Sequence, residues 1–218
     1  MNVFVLCTGR CGSVSLVEAC RHIENYTCGH ETRAGFVGLA RLDYPDNHIE
    51  VDNRLSWYLG RLHFKYGPTA YYVHLKRDLD ATARSYSRRR HVGIMNAFAS
   101  GLLRQKTLSP DAQDSLKLAR DICETMEENI RYFLLDKPHK MEMKLESIQS
   151  DFQEFWQRIG AQGDLSQALH CFDKRANTSL EFEKHGSQIG AGTRLKRALK
   201  AAWRTLAVPN RDTSFFDR

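Results

Sequence analysis

Val3-Phe4-Val5-Leu6-Cys7-Thr8-Gly9-Arg10-Cys11-Gly12-Ser13-Val14-Ser15-Leu16 decides how this chain is read. Its first five residues have the apolar, partly β-branched character of a strand buried on both faces. The polar, glycine-bearing turn Thr8 to Ser15 then leads into a helical segment beginning near Leu16. In an open α/β sheet, ligands lie beyond the carboxyl ends of the strands. A turn of this kind offers backbone N–H groups and the positive end of a helix dipole to an anion. Gly9 and Gly12 let the backbone approach an oxygen-rich group, Arg10 adds a permanent charge, and the Ser13 and Ser15 hydroxyls can donate hydrogen bonds. The stretch suits a phosphate or a sulfate, against the plainer reading of a tight turn with a solvated arginine.

The same unit recurs further on. Ala70-Tyr71-Tyr72-Val73-His74-Leu75 reads as a second buried strand. It ends at Lys76-Arg77-Asp78, where Asp78 can cap a helix running through about Arg89. Shorter strand candidates are Tyr26 to His30, His48 to Val51 and Lys140 to Leu145. Between them, Arg54 to Tyr66 and Pro110 to Leu135 repeat apolar residues at steps of three and four, the latter through Leu116, Ala119, Ile122, Met126, Ile130 and Phe133. Ile148, Phe152, Phe155, Trp156 and Ile159 do the same. Strands alternating with helices predict an α/β fold, a mostly parallel central sheet flanked by helices on both faces, formed as a single domain over residues 1–218. No linker, repeat or low-complexity tract interrupts it.

The 218 residues are 42% hydrophobic and 27% charged, an ordinary globular composition, and 32 Lys+Arg against 26 Asp+Glu leave a net charge of +6. A chain of this length buries roughly 70% of the surface it exposes unfolded, so it needs no disulfide staples. The six cysteines form no Cys-x-x-Cys pair, and reduced thiols are expected. Cys7, Cys11, Cys20 and Cys28 lie near His22 and His30, but their spacings fit no compact zinc-ligand pair, so no metal site is expected. No apolar run approaches the ~18 residues of a spanning helix and the N-terminus lacks the basic start of a signal peptide, which together predict a cytoplasmic chain with no integral membrane segment. The mild excess of positive charge, concentrated at Arg88-Arg89-Arg90 and at Arg194, Lys196, Arg197, Lys200 and Arg204, points to an anionic ligand.

Three familiar loop chemistries fail on the residues. An ATP-binding loop needs lysine and Ser/Thr after its last glycine, whereas Gly12 is followed by Ser13-Val14. A dinucleotide fingerprint needs Gly-x-Gly-x-x-Gly, and Arg10 and Cys11 separate Gly9 from Gly12 with no third glycine. A cysteine phosphatase needs a thiolate cradled by a later arginine, yet Cys7 lies on the strand side of the loop and Arg10 comes too soon.

The stretch Phe4 to Leu16 instead resembles the 5′-phosphosulfate loop of the sulfotransferases that use 3′-phosphoadenosine 5′-phosphosulfate (PAPS). That family's second signature is a strand ending in arginine, with a serine eight residues later on the next helix. Val73-His74-Leu75-Lys76-Arg77 to Ser85-Tyr86 resembles it, with Arg77 and Ser85 at that separation. The two signatures cover about the first 90 residues. Met141 to Leu145 with Glu146-Ser147-Ile148 resembles a later strand and acidic turn less specifically, and Arg175-Ala176-Asn177-Thr178-Ser179 resembles the segment that closes over the cofactor in relatives.

The resemblance implies a P-loop-like sulfotransferase architecture. It also implies in-line transfer of a sulfuryl group from PAPS to a hydroxyl or amine of a small-molecule or carbohydrate acceptor, without a bridging metal. Arg10, Cys11, Gly12, Ser13, Val14 and Ser15 would hold the 5′-phosphosulfate, with Arg10 where many relatives have lysine. Arg77 and Ser85 would hold the 3′-phosphate, with one of Arg88 to Arg90 in reach of it. A general base must accept the acceptor's proton. Glu31, 21 residues after Arg10, resembles the catalytic glutamate of prokaryotic and Golgi-type relatives, with His30, Glu50 and Asp52 as alternatives and an ion pair between Glu31 and Arg33 as the structural reading. The rival functions are a magnesium-dependent nucleotide phosphotransferase, which the missing lysine disfavours, and a PAPS- or anion-binding protein without turnover. A nucleic-acid binder would use the basic C-terminal helix, whose apolar stripe is Leu195, Leu199, Ala202, Trp203 and Leu206, but no nucleic-acid motif accompanies it.

Overall fold

The opening apolar run forms the central strand, β1 (Val3–Cys7), with all five residues buried. The computed structural model describes residues 1–89, 93–104 and 111–173, all within a unit spanning Met1–Ala176. Segments 175–179 and 194–206 lie outside the described residues. The other strands are β2 (Thr27–His30), β3 (His48–Val51), β4 (Tyr71–Lys76) and β5 (Lys140–Lys144). They form one sheet in the order β2-β3-β1-β4-β5, every pairing parallel, with Val3 opposite both Ile49 and Tyr71.

The helices are α1 (Ser13–Cys20), α2 (Leu59–Tyr66), α3 (Leu79–Ser87), α4 (Gly93–Ala97), α5 (Ala112–Phe133), α6 (Ile148–Arg158) and α7 (Leu165–His170). Side chains alternate across a strand. Val3, Val5 and Cys7 therefore pack on one face with Leu16 and Val17 of α1 and Phe152 and Phe155 of α6. Phe4 and Leu6 pack on the other with Leu62 of α2 and Ile130 of α5. α3 and α4 join the second layer, where Ala83, Tyr86 and Met95 meet Ala119, Ile122 and Met126 of α5. The sheet is covered on both faces, as continuous apolar strands require.

This winding places the site. α1 leaves β1 toward one face, while the connections after both neighbours of β1, through α2 from β3 and through α3 from β4, leave toward the other. The carboxyl end of β1 is thus a topological switch point, where an open α/β sheet leaves a crevice.

Several expected boundaries move. α1 starts at Ser13 rather than near Leu16, because Gly12 takes φ 90° and turns the chain directly into the helix. The helix expected over Arg54 to Tyr66 is two pieces, a 3₁₀ turn at Asn53–Trp57 and α2, broken at Tyr58. Ser56 and Leu62 would stand about 120° apart around one continuous helix. The break lets both face inward, Ser56 Oγ donating to the Cys7 carbonyl (3.2 Å) and Leu62 entering the core. In α5, Asp111 caps the helix through the Gln113 and Asp114 N–H groups. Leu118 takes the buried place, while Leu116, expected on that face, is 38% exposed. β5 stops at Lys144, and Leu145 begins a 3₁₀ turn.

Candidate functional site

The loop between β1 and α1 is held in a conformation that extended or helical backbone cannot supply. Gly9, Arg10 and Gly12 all have positive φ, at 83°, 60° and 90°. Gly9 and Gly12 reach it at little cost, but a side chain at Arg10 in the left-handed region costs roughly 1–2 kcal/mol. The first carbonyls of the loop are fastened outward. Thr8 O accepts from Tyr86 Oη and from Asn53 Nδ2 (3.3 Å), and Cys7 O accepts from Ser56 Oγ. Gly12 caps α1 without a side-chain hydrogen bond, and no acid stands in the first turn. The first N–H groups of a helix have no intrahelical acceptor, so this end presents donors and a positive dipole. Successive N–H groups in such turns form anion-binding concavities.

The two segments singled out in the sequence meet here. Arg77 NH1 donates to the Arg10 carbonyl (3.0 Å), and Arg10 Nε donates to Ser85 Oγ (3.1 Å). Burial lowers the pKa of the Arg10 guanidinium, and the charges of Arg89 and Arg77 lower it further. Burial likewise lowers that of Arg89, which follows Ser85 by one helical turn. Arg77 and Arg89 thus lie near enough to Arg10 for their charges to act on it. Arg90 lies outside the described residues.

The remaining loop residues divide by burial. Ser13 and Val14 are half-buried at the start of α1, and Ser15 is buried. Cys11 points into the core, where its thiol hydrogen-bonds Cys7. That contact and burial push the Cys7 thiol well above its ordinary pKa.

The four base candidates all lie at the carboxyl edge of β2 and β3, in different settings. Exposed His30 has Nε2 3.1 Å from Ser13 Oγ, at the mouth of the loop. Half-buried Glu31 takes φ 53° and pairs with Arg54, not with Arg33, whose guanidinium donates to the Ala40 carbonyl. Glu50 is fully buried and committed, accepting from Thr32 N and Thr32 Oγ1 (both 2.7 Å) and paired with His48 Nε2 (2.9 Å). Asp52 is also fully buried. Burial raises its pKa, while Arg41, at 2.6 Å, and the Arg54 N–H oppose the rise. Glu31 and His30 therefore open toward the crevice, and Glu50 and Asp52 do not.

Sequence reasoning missed the residues that hold the loop: Tyr86, Asn53, Ser56, and behind them Arg54 and Arg41. Tyr86 follows Ser85 and Asn53 follows Asp52, both next to candidate residues, but nothing in periodicity marks a side chain that reaches a loop from another segment. A separate cavity of about 740 Å³ lies between α2 and the end of α5, lined by Trp57, His63, Phe64, Tyr132, Phe133 and Lys137 among others. None of the candidate site residues lines it. Among the described residues, no cluster of three metal-ligating side chains occurs, and no helix is long and apolar enough to cross a membrane. All six cysteines are free.

Fold and site together define an α/β protein with a glycine-bearing, arginine-flanked loop at the switch point of a parallel sheet. No protein-family model matches the chain, and no curated protein matches it.

Proposed function

We propose that this protein is a sulfotransferase that moves the sulfuryl group of PAPS onto a hydroxyl or amine of a small-molecule or carbohydrate acceptor. The observation that most supports this reading is the junction of the loop with the β4–α3 segment. Arg10 bonds both Arg77 and Ser85 across 67 and 75 residues of sequence, so one ligand with phosphate groups at two ends can touch all three. The absence of lysine after Gly12 argues in the same direction, because a sulfuryl group carries little charge and needs no magnesium bridge.

In this mechanism the acceptor oxygen or nitrogen attacks sulfur in line as the bond from sulfur to the phosphate oxygen breaks. The electron pair of that bond leaves with the nucleoside bisphosphate. Arg10 and the N–H groups of Cys11 to Ser15 stabilise the charge growing on the departing phosphate, and Arg77 and Ser85 anchor the 3′-phosphate. Glu31 takes the acceptor's proton, with Arg54 fixing the direction of its carboxylate. The contact of His30 with Ser13 favours His30 as the second candidate.

Thermal stabilisation by 3′-phosphoadenosine 5′-phosphate (PAP) tests the reading against ATP, each with magnesium and with EDTA. A ligand at a hundred times its dissociation constant stabilises by about 2.7 kcal/mol. The expected result is a metal-independent shift with PAP that Arg77→Ala and Ser85→Ala each reduce. A shift with ATP and magnesium alone would transfer the protein to the phosphotransferases. With turnover assayed, Glu31→Gln slows the chemical step at unchanged PAP affinity, and if His30→Asn does so instead, the base is His30.

A further inference from the structure

Arg41 and Asp52 are opposite charges with 1% and 0% of their side chains exposed, joined at 2.6 Å. Arg41, in the 3₁₀ turn Gly38–Leu42, is fixed on every side. NH2 donates to Asp52 Oδ2, NH1 donates to Tyr44 Oη (3.0 Å), and the guanidinium lies over the Tyr58 ring at 4.9 Å. Asp52 is equally constrained. Its N–H meets the Val5 carbonyl of β1 (3.4 Å), and Oδ1 accepts from Arg54 N (2.8 Å), which starts the turn Asn53–Trp57.

A buried ion pair is poor evidence for stability, since apolar replacement is often neutral or better. Its consequence here is directional. The turn it starts has two arms that reach the candidate site. Asn53 Nδ2 donates to Thr8 O (3.3 Å) and to Tyr86 Oη (3.4 Å), and the guanidinium of Arg54 pairs with Glu31. Ser56, in the same turn, holds Cys7 O.

We infer that Arg41 and Asp52 are positioning residues, a strut that sets the anion loop through Asn53 and the Glu31 carboxylate through Arg54. Asp52, which sequence alone admits as a base, acts through its neighbours. The role assigned to Glu31 rests on the sulfotransferase reading, while the strut itself does not.

Native-state hydrogen exchange by mass spectrometry reads the strut without any ligand. The proteins are wild type, Asn53→Ala, Asp52→Asn and the charge-free pair Arg41→Met/Asp52→Leu, which keeps the fold if Asp52→Asn strands a buried arginine. Asn53→Ala should speed exchange in residues 8–15 alone. The other two variants should speed it in both 8–15 and 31–36, by about tenfold, the size expected for one lost buried hydrogen bond. Exchange in 71–76, inside β4, stays unchanged. Wild-type rates in both segments of a folded charge-free variant would overturn the strut, as would uniform acceleration that includes β4. PAP affinity measured on the same proteins separates the two ideas. If PAP fails to bind wild type while the exchange pattern holds, the sulfotransferase reading falls and the strut stands.

Discussion

Replacing Gly9 and Gly12 by alanine in turn perturbs the anion loop at two positions with almost the same backbone, φ 83° and 90°, and very different surroundings. The conformational penalty of a Cβ in the left-handed region, roughly 1–2 kcal/mol, applies to both. The gain from a stiffer unfolded chain, about 0.4–1 kcal/mol, also applies to both and cancels in the comparison. What differs is the neighbour. A Cβ on Gly12 would meet Leu145 Cδ1 at 2.6 Å, the end of a half-buried side chain that can rotate away. A Cβ on Gly9 would meet Tyr86 Oη at 2.5 Å and Asn53 Nδ2 at 2.8 Å, and both of those atoms hold the Thr8 carbonyl. Displacing them costs two hydrogen bonds at about 1 kcal/mol each, so Gly9→Ala should destabilise by about 2 kcal/mol more than Gly12→Ala. Urea unfolding followed by circular dichroism measures both differences. Tyr86→Phe removes the closer obstacle, so in that background the Gly9→Ala penalty should fall by about 1 kcal/mol while that of Gly12→Ala stays put. Equal costs at the two glycines, or a Gly9→Ala cost indifferent to Tyr86→Phe, would refute the account of how the loop is fastened.

At Arg10, φ 60° makes glycine the better small replacement, so Arg10→Gly should unfold about 1 kcal/mol later in urea than Arg10→Ala, with both losing PAP affinity; alanine matching glycine would deny the left-handed backbone. Alkaline pH should weaken the fold. Burial raises Cys20 well above its ordinary pKa and Cys123 to about 12, and the Cys11 contact with burial raises Cys7. Unfolded thiols ionise near ~8.5, so above that the unfolded chain binds fewer protons than the native one and stability falls as pH rises. The loss is about 4 kcal/mol for three thiols between pH 7.5 and 9.5, with little slope below. Urea midpoints that are flat over that range would place these thiols outside the core.

The architecture was legible because it rests on periodicity. Val3 to Cys7 and Tyr71 to Leu75 are uninterrupted apolar runs, and buried parallel strands leave that pattern in any sequence. Asp78 could be read as a helix start because a capping carboxylate acts on N–H groups two or three residues away. The loop was legible by composition, but its conformation was not. Helix α1 was expected three residues too late because only the φ of Gly12 decides where the turn ends. Asp52 stood as an alternative base, since nothing local distinguishes an acid facing a crevice from one that meets a buried arginine 11 residues back in the chain. Tyr86 and Asn53 act between segments tens of residues apart, a relation that exists only once the strands are ordered.

What favours a ligand at the end of β1 is the coincidence there of an uncapped helix start, a left-handed loop backbone and several arginines. Aspartates cap α3, α5 and α7, and Asp151 stands in the first turn of α6. At α1, as at α2, there is neither a capping side chain nor an acid, and α1 starts at the switch point of the sheet. Three residues before the helix, Arg10 holds a backbone conformation that favours glycine, and burial with the charges of Arg89 and Arg77 lowers the pKa of its guanidinium, against an opposing effect of Tyr86. Each of these features costs stability taken alone, and one ligand would offset the electrostatic ones. An anion there would accept from the N–H groups at the start of α1 and offset the positive charge of Arg10 and its neighbours Arg77 and Arg89. Because Arg10 also bonds Ser85, the proposed sulfotransferase reading expects a ligand whose negative charges are divided between the start of α1 and the face of α3, as in a nucleoside carrying phosphates at both its 5′ and 3′ positions.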